Sequence, residues 1–169
     1  LTEAGFGLAD GKIIAAPGFD FTIEPVLMLR IFRLARDRGL DIHPLAFRAI
    51  IRHARHLARL RGDPAASAEF LDILSGKEPH IWLRMLNEAG LIAALLPDWQ
   101  RVVGLMQFDT YHVFTVDEHT IEAIGVLRAM ERAPKLPVGD AHGRRAAIDG
   151  MMASFGDRRP AVSDVDVAV

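Results

Sequence analysis

From Glu24 onward, apolar residues recur at spacings of three and four between proline and glycine breaks, a pattern that restricts the chain to short amphipathic helices packed on one another. Leu27, Met28, Ile31, Phe32, Leu34 and Ala35 form the first stripe, with Pro25 suited to a first helical turn and Gly39 to the stop. Pro44 opens a second helix with Leu45, Phe47, Ile50, Ile51 and Leu57 on one face and arginines spread around the rest, until Gly62-Asp63-Pro64 breaks it. Asp63 or Pro64 starts a third helix, Pro79 a fourth that runs to Ala89-Gly90, and a short one spans Leu91 to Leu96 before Pro97. Thr115-Val116-Asp117-Glu118 fits a capping box, in which hydroxyl and carboxylate satisfy free amides at a helix start. The pattern thus predicts helices over 24–39, 44–60, 64–74, 79–89 and 116–131.

The fold class expected is all-α, a multi-helix bundle. Residues 1–21, rich in glycine around Lys12-Ile13-Ile14, read as a loop or small hairpin, and 101–114, apolar but aperiodic, as an extended or irregular segment. After Pro134 and Pro137 the stripe is lost, so the tail is expected to be irregular or strand-like.

With half of its 169 residues apolar, the chain can bury a core. Lys plus Arg (20) nearly balances Asp plus Glu (22), which gives no long-range pull toward nucleic acid or an anionic membrane. Without cysteine there are no disulfides and no thiolate ligands, so a metal would be held by His, Asp or Glu. No apolar run approaches the roughly 20 residues needed to cross a bilayer, and the start, Leu1-Thr2-Glu3, lacks Met and a basic leader. The expectation is a cytoplasmic fragment whose start is missing.

Most of the seven histidines have ordinary readings. His53 and His56 share an Arg-rich helix surface, His43 precedes Pro44 as a turn residue, and His80 and His142 have no acidic neighbour at ligand spacing on a well-signalled helix. His112 and His119 differ, because Asp117 and Glu118 lie between them at a capped helix start, giving four potential ligands within about two turns. The same residues also fit an acidic first turn with surface histidines.

The run Met106-Gln107-Phe108-Asp109-Thr110-Tyr111-His112-Val113-Phe114-Thr115-Val116-Asp117-Glu118-His119-Thr120 resembles the entrance to the HD-type hydrolase domain of the bifunctional PII uridylyltransferase and uridylyl-removing enzymes. Upstream, Met85 to Leu91 and Leu96 to Val103 are similar to the same family's approach to that domain. Glu24-Pro25 through His43-Pro44 is similar to its helical linker, and also to helices that follow the core of tRNA-tailing nucleotidyltransferases. The resemblance covers about residues 20 to 130. It implies a parent that transfers UMP from UTP to a tyrosine of the PII protein and hydrolyses it off again under control of glutamine. It implies Mg or Mn in the full enzyme, with no ion ordered in this fragment, and neither membrane nor nucleic acid as partner. The implied domains are a helical linker over 1–100, following a nucleotidyltransferase core absent here, and the entrance and first helix of the hydrolase over 101–133. The tail, 134–169, is unassigned.

HD domains hold a divalent metal through a first His, a later adjacent His-Asp pair and a still later Asp, and His119 matches the first. His112, Asp117 and Glu118 are second choices, for substrate contact, support of the ligand or capping. The sequence has no adjacent His-Asp pair: Asp140-Ala141-His142 has the wrong order and spacing. In the tail, Phe155-Gly156 followed by Asp164-Val165-Asp166 is a weak likeness to the Gly plus Asp-x-Asp signature of nucleotidyltransferases, on the wrong side of the linker. Two rival readings follow. One is the helical region of a tRNA-tailing enzyme, since seventeen of the 20 basic residues are Arg. The other is a helical protein-binding module without catalysis, with Leu91 to Met106 against its partner.

Overall fold

Helix α1 (Leu27–Arg38) is apolar around most of its circumference, and seven of its twelve residues are buried, among them Met28, Leu29, Ile31, Phe32 and Ala35 at 0% exposure. Such a helix is stable only at the centre of a bundle. The computed structural model describes residues 5–16, 18–106 and 114–132. The chain divides into two units, Leu1–Arg128 and Ala129–Val169, and the tail expected to be irregular lies outside the described residues.

After α1 come α2 (Pro44–His53), α3 (Pro64–Ser75), which packs on α1, α4 (Pro79–Glu88), the short α5 (Leu91–Leu95) and α6 (Val116–Arg132). The five helices read from the apolar spacing are all present, each within three residues of its expected start. Three of them begin with proline at the first position, where the missing N–H is no loss. Asp63 caps α3, its Oδ1 accepting from the amides of Ala65 and Ala66 at 2.9 Å each. α1 ends as predicted at Gly39, whose φ of 62° is left-handed. The Leu40 amide then reaches back to the carbonyl of Ala35 at 2.9 Å, closing a Schellman turn.

One expected element changes character. The helix forecast over 44–60 is α-helical only to His53, after which Ala54–Leu60 tightens to 3₁₀. Three residues per turn align Ala54 and Leu57, both buried, with Leu60, which packs against the core from the same side.

At the N-terminal end, β1 (Phe6–Ala9) and β2 (Lys12–Ala15) pair antiparallel, with Phe6 opposite Ala15 and Ala9 opposite Lys12. Asp10 and Gly11 both take positive φ (52° and 73°), as a two-residue hairpin turn requires. The hairpin is sewn to the α1–α2 connection: the Ile13 amide donates to Asp41 O and the His43 amide to Ile13 O, both at 2.8 Å.

Arginines join α1 to α3. Arg30 and Arg33 donate to the two oxygens of Glu69 at 2.8 and 2.6 Å, and Arg36 binds Asp72 Oδ2 at 2.5 Å and the carbonyl of the same residue at 2.6 Å. The Glu69 side chain is 11% exposed, so these are sheltered pairs rather than surface decoration. Burial works against the charge on Arg36, but its bonds to Asp72 and Asp37 raise its pKa above the ordinary value all the same. No described helix is long and apolar enough to cross a membrane.

Candidate functional site

The head of α6 is where sequence and structure converge. After α5, Pro97 sets a 3₁₀ turn (Pro97–Arg101), and Gly104, with φ of 68°, reverses the chain. Beyond it, Met106 and Thr115 form an antiparallel bridge, and the Val116 amide donates to Leu105 O at 2.9 Å. The two ends of the segment between them are thereby pinned together, and α6 starts at a fixed point.

Asp117, in the first turn, is 4% exposed. Its Oδ2 accepts from Asn87 Nδ2 at 2.7 Å and its Oδ1 from the Gly104 amide at 3.1 Å. Asn87 Oδ1 in turn accepts from the indole of Trp99 at 2.8 Å. Burial pushes the Asp117 carboxyl toward its neutral form, but the hydrogen bonds of Thr115, Asn87 and Gly104 outweigh it and hold the pKa below the ordinary carboxylate value. A carboxyl whose pKa is lower folded than unfolded stabilises the fold fully above the unfolded value of about 3.8, and that contribution is lost as pH falls through the lower folded value. Acid unfolding of the wild type and of Asp117→Asn should therefore show the two stability curves converging below about pH 4 and separating above it. Parallel curves across that range would sink this account.

Outside the head, Arg84 of α4 donates to Glu118 Oε2 at 3.0 Å and to Glu122 Oε1. Burial works against the Arg84 charge, and the two carboxylates more than offset it, so its pKa is raised. Deeper along the interface, His80 of α4 is 7% exposed and lies against Gly125, where a Cβ would meet its ring at 2.7 Å.

His119 sits in the same first turn and is solvent-exposed, its amide donating to Thr115 O at 2.9 Å. The carboxylates that flank it in sequence are directed elsewhere, Asp117 inward to Asn87 and Gly104 and Glu118 to Arg84. Among the described residues no group of three or more His, Asp or Glu is placed to hold a metal ion. An ion at His119 would thus need ligands from outside the described residues to complete its shell. His112, Asp164 and Asp166 fall there as well. An open hollow of about 460 Å³ lies beside the head, lined by Leu96, Pro97, Asp98, Trp99, Val102 and Thr120.

The other described histidines take structural places, and His142 lies outside the described residues. His43 caps α2, its Nδ1 accepting from the Leu45 amide at 3.2 Å. His53 and His56 have ring centroids 6.0 Å apart, and the pKa of His56 is lowered by lost hydration and by Arg59 and Arg55, surroundings hostile to a cation. Asn87, Trp99 and Arg84, whose bonds hold the head of α6, are positions that the sequence alone does not single out. Asn87 carries a signal all the same, because it falls four residues after Leu83 on the buried stripe of α4.

Residues 39–102 match the family model described as the probable RNA and SrmB-binding site of polymerase A. Over 150 residues the chain is 41% identical to a bifunctional uridylyltransferase/uridylyl-removing enzyme of Gluconobacter oxydans, covering 80% of this chain and 16% of that protein. It is 50% identical over 129 residues to the Azospirillum brasilense enzyme of the same name, and 44% over 127 residues to that of Rhodospirillum rubrum, covering 75% of this chain and 14% of the relative in each case. The chain therefore spans about one seventh of the length of the curated relatives it matches.

Proposed function

Because the chain belongs to the family of bifunctional uridylyltransferase/uridylyl-removing enzymes, we propose that it is the segment joining the two activities of such an enzyme. The whole protein transfers UMP from UTP to the PII protein and hydrolyses the uridylyl group off again, and this segment supplies the helical linker and the first helix of the hydrolase half. The observation that carries the reading is the run through Asp117-Glu118-His119-Thr120, at a pinned helix head on which His119 is exposed. His119 offers a ring nitrogen to a divalent ion, Mg or Mn. The chemistry such an ion supplies is a water acidic enough to ionise near neutral pH for attack on a phosphodiester. Asp117 and Asn87 hold the turn that presents His119, and Arg84 braces its outer side.

A second reading, contact with RNA, rests on the matched RNA-site model and on Arg48, Arg52 and Arg55, exposed and spaced four and three apart. It is the weaker one. Arg59 and Arg61, which continue the basic run, already donate to the carbonyls of Thr22 and Ala94, and the formal net charge is −2.

The test is an assay of the full-length protein with PII, UTP and manganese for both attachment and removal of UMP, beside the 169-residue chain alone. The full protein is expected to catalyse both reactions and the isolated chain neither. A full-length protein that leaves PII untouched but binds RNA with a steep dependence on salt would replace this reading by the second.

A further inference from the structure

Asn87 is joined to the head of α6 by bonds that admit only one orientation of its amide. The indole N–H of Trp99 can only donate and an ionised carboxylate can only accept. The Asn87 oxygen must therefore face Trp99, at 2.8 Å, and its NH₂ must face Asp117, at 2.7 Å. The Asp117 carboxylate is buried, and its second oxygen is taken by the Gly104 amide, so it has no water to fall back on. A mismatch at this point costs the desolvation of a charged group, whereas the Arg84 brace, with its side chain 44% exposed, is screened and weak. The first turn of α6, already pinned at its start through Leu105 and Val116, is thus aimed against α4 by this directional, sheltered contact, and His119 is two residues along that turn.

We propose that Asn87 is a positioning residue for the hydrolytic activity: through Asp117 it fixes where the helix presents His119. The inference rests on the metal-ligand role proposed above for His119. Partners that orient a ligand typically contribute roughly 10- to 100-fold to metal affinity or activity.

The experiment uses the full-length protein. Asn87→Asp sets two carboxylates face to face. Removal of UMP and affinity for manganese are each expected to fall by roughly 10- to 100-fold, with attachment within about twofold. In the metal-free protein, amide hydrogen exchange across residues 116–122 should quicken. Adding Asp117→Asn to Asn87→Asp restores the pairings between α4 and α6 and with Trp99 and Gly104, with the roles reversed, since the amide introduced on α6 donates to the carboxylate introduced on α4 and its oxygen accepts from Gly104. This double variant should regain most of what the single one lost. Glu69→Gln, which loosens α1 from α3 and touches none of the Asn87, Asp117 and Trp99 contacts, serves as the comparison for simple destabilisation and should leave both exchange at 116–122 and manganese affinity unchanged. Unchanged exchange at 116–122 in Asn87→Asp, equal loss of both activities, or no recovery in the double variant each overturns the positioning role. Full removal activity in His119→Ala would instead strike the ligand reading beneath it.

Discussion

In the full-length protein, His119→Ala is expected to reduce removal of UMP from PII by roughly 100-fold or more, the upper end of what the loss of even a supporting partner costs a metal site, while attachment stays within about twofold. The selectivity follows from the geometry. His119 is exposed and makes no contribution to the buried core around α1, so its loss leaves the linker packed. Its backbone bond to Thr115 survives any side-chain change, and the Asp117 contacts that seat the helix are independent of the imidazole. Titrating manganese against both proteins provides the check. Metal-dependent hydrolysis that is unchanged in the variant rules out the ligand role, and parallel loss of both activities points to folding instead.

Gly125→Val is expected to lower the unfolding free energy by about 3 kcal/mol, at the upper end of what overpacking costs. Two effects compete. Replacing a helical glycine gains up to about 1 kcal/mol of helix propensity with Ala and less with a β-branched residue. Against this, a Cβ at Gly125 would stand 2.7 Å from Cγ and Nδ1 of His80 and 2.9 Å from its Cβ. Those atoms lie near the backbone of a buried residue and cannot swing clear. For Gly125 the clash therefore wins, and α6 must lift from α4. Urea unfolding of the two proteins measures the difference, and a variant as stable as the wild type would show that the His80 side yields more easily than close packing allows.

The helices were legible because their signals are local. Proline at the first position of α2, α3 and α4 and glycine after α1 act on the residues beside them, and the stripe of α1 follows from a period any packed helix must show. The change to 3₁₀ after His53 was not legible, since Ala54, Leu57 and Leu60 satisfy both periods and only the packing chooses. Asp10-Gly11 was a hairpin signal in its own right, one that decides for the hairpin where the glycine content left a loop or small hairpin open. The candidate site divides in the same way. His119 at an exposed helix head could be placed from Thr115 onward, but where Asp117 would point could not. Its partners Asn87 and Gly104 are 30 and 13 residues away, and distances of that kind are set by how α4 and the 3₁₀ turn pack. For the same reason nothing in the sequence distinguished Arg84, which grips α6, from Arg48 or Arg52, which face solvent.

The bond from the Trp99 indole to Asn87 also gives the linker an optical signature. The chain holds two tryptophans, Trp82 and Trp99, and the second is bonded to the residue that seats α6. A half-buried indole emits at shorter wavelength than one fully in water, and Trp99 is half-buried where it donates to Asn87. With Trp82 replaced by phenylalanine, the colour of the remaining emission in this segment follows whether the helix head is docked or released, in any nucleotide or effector solution and without a catalytic assay.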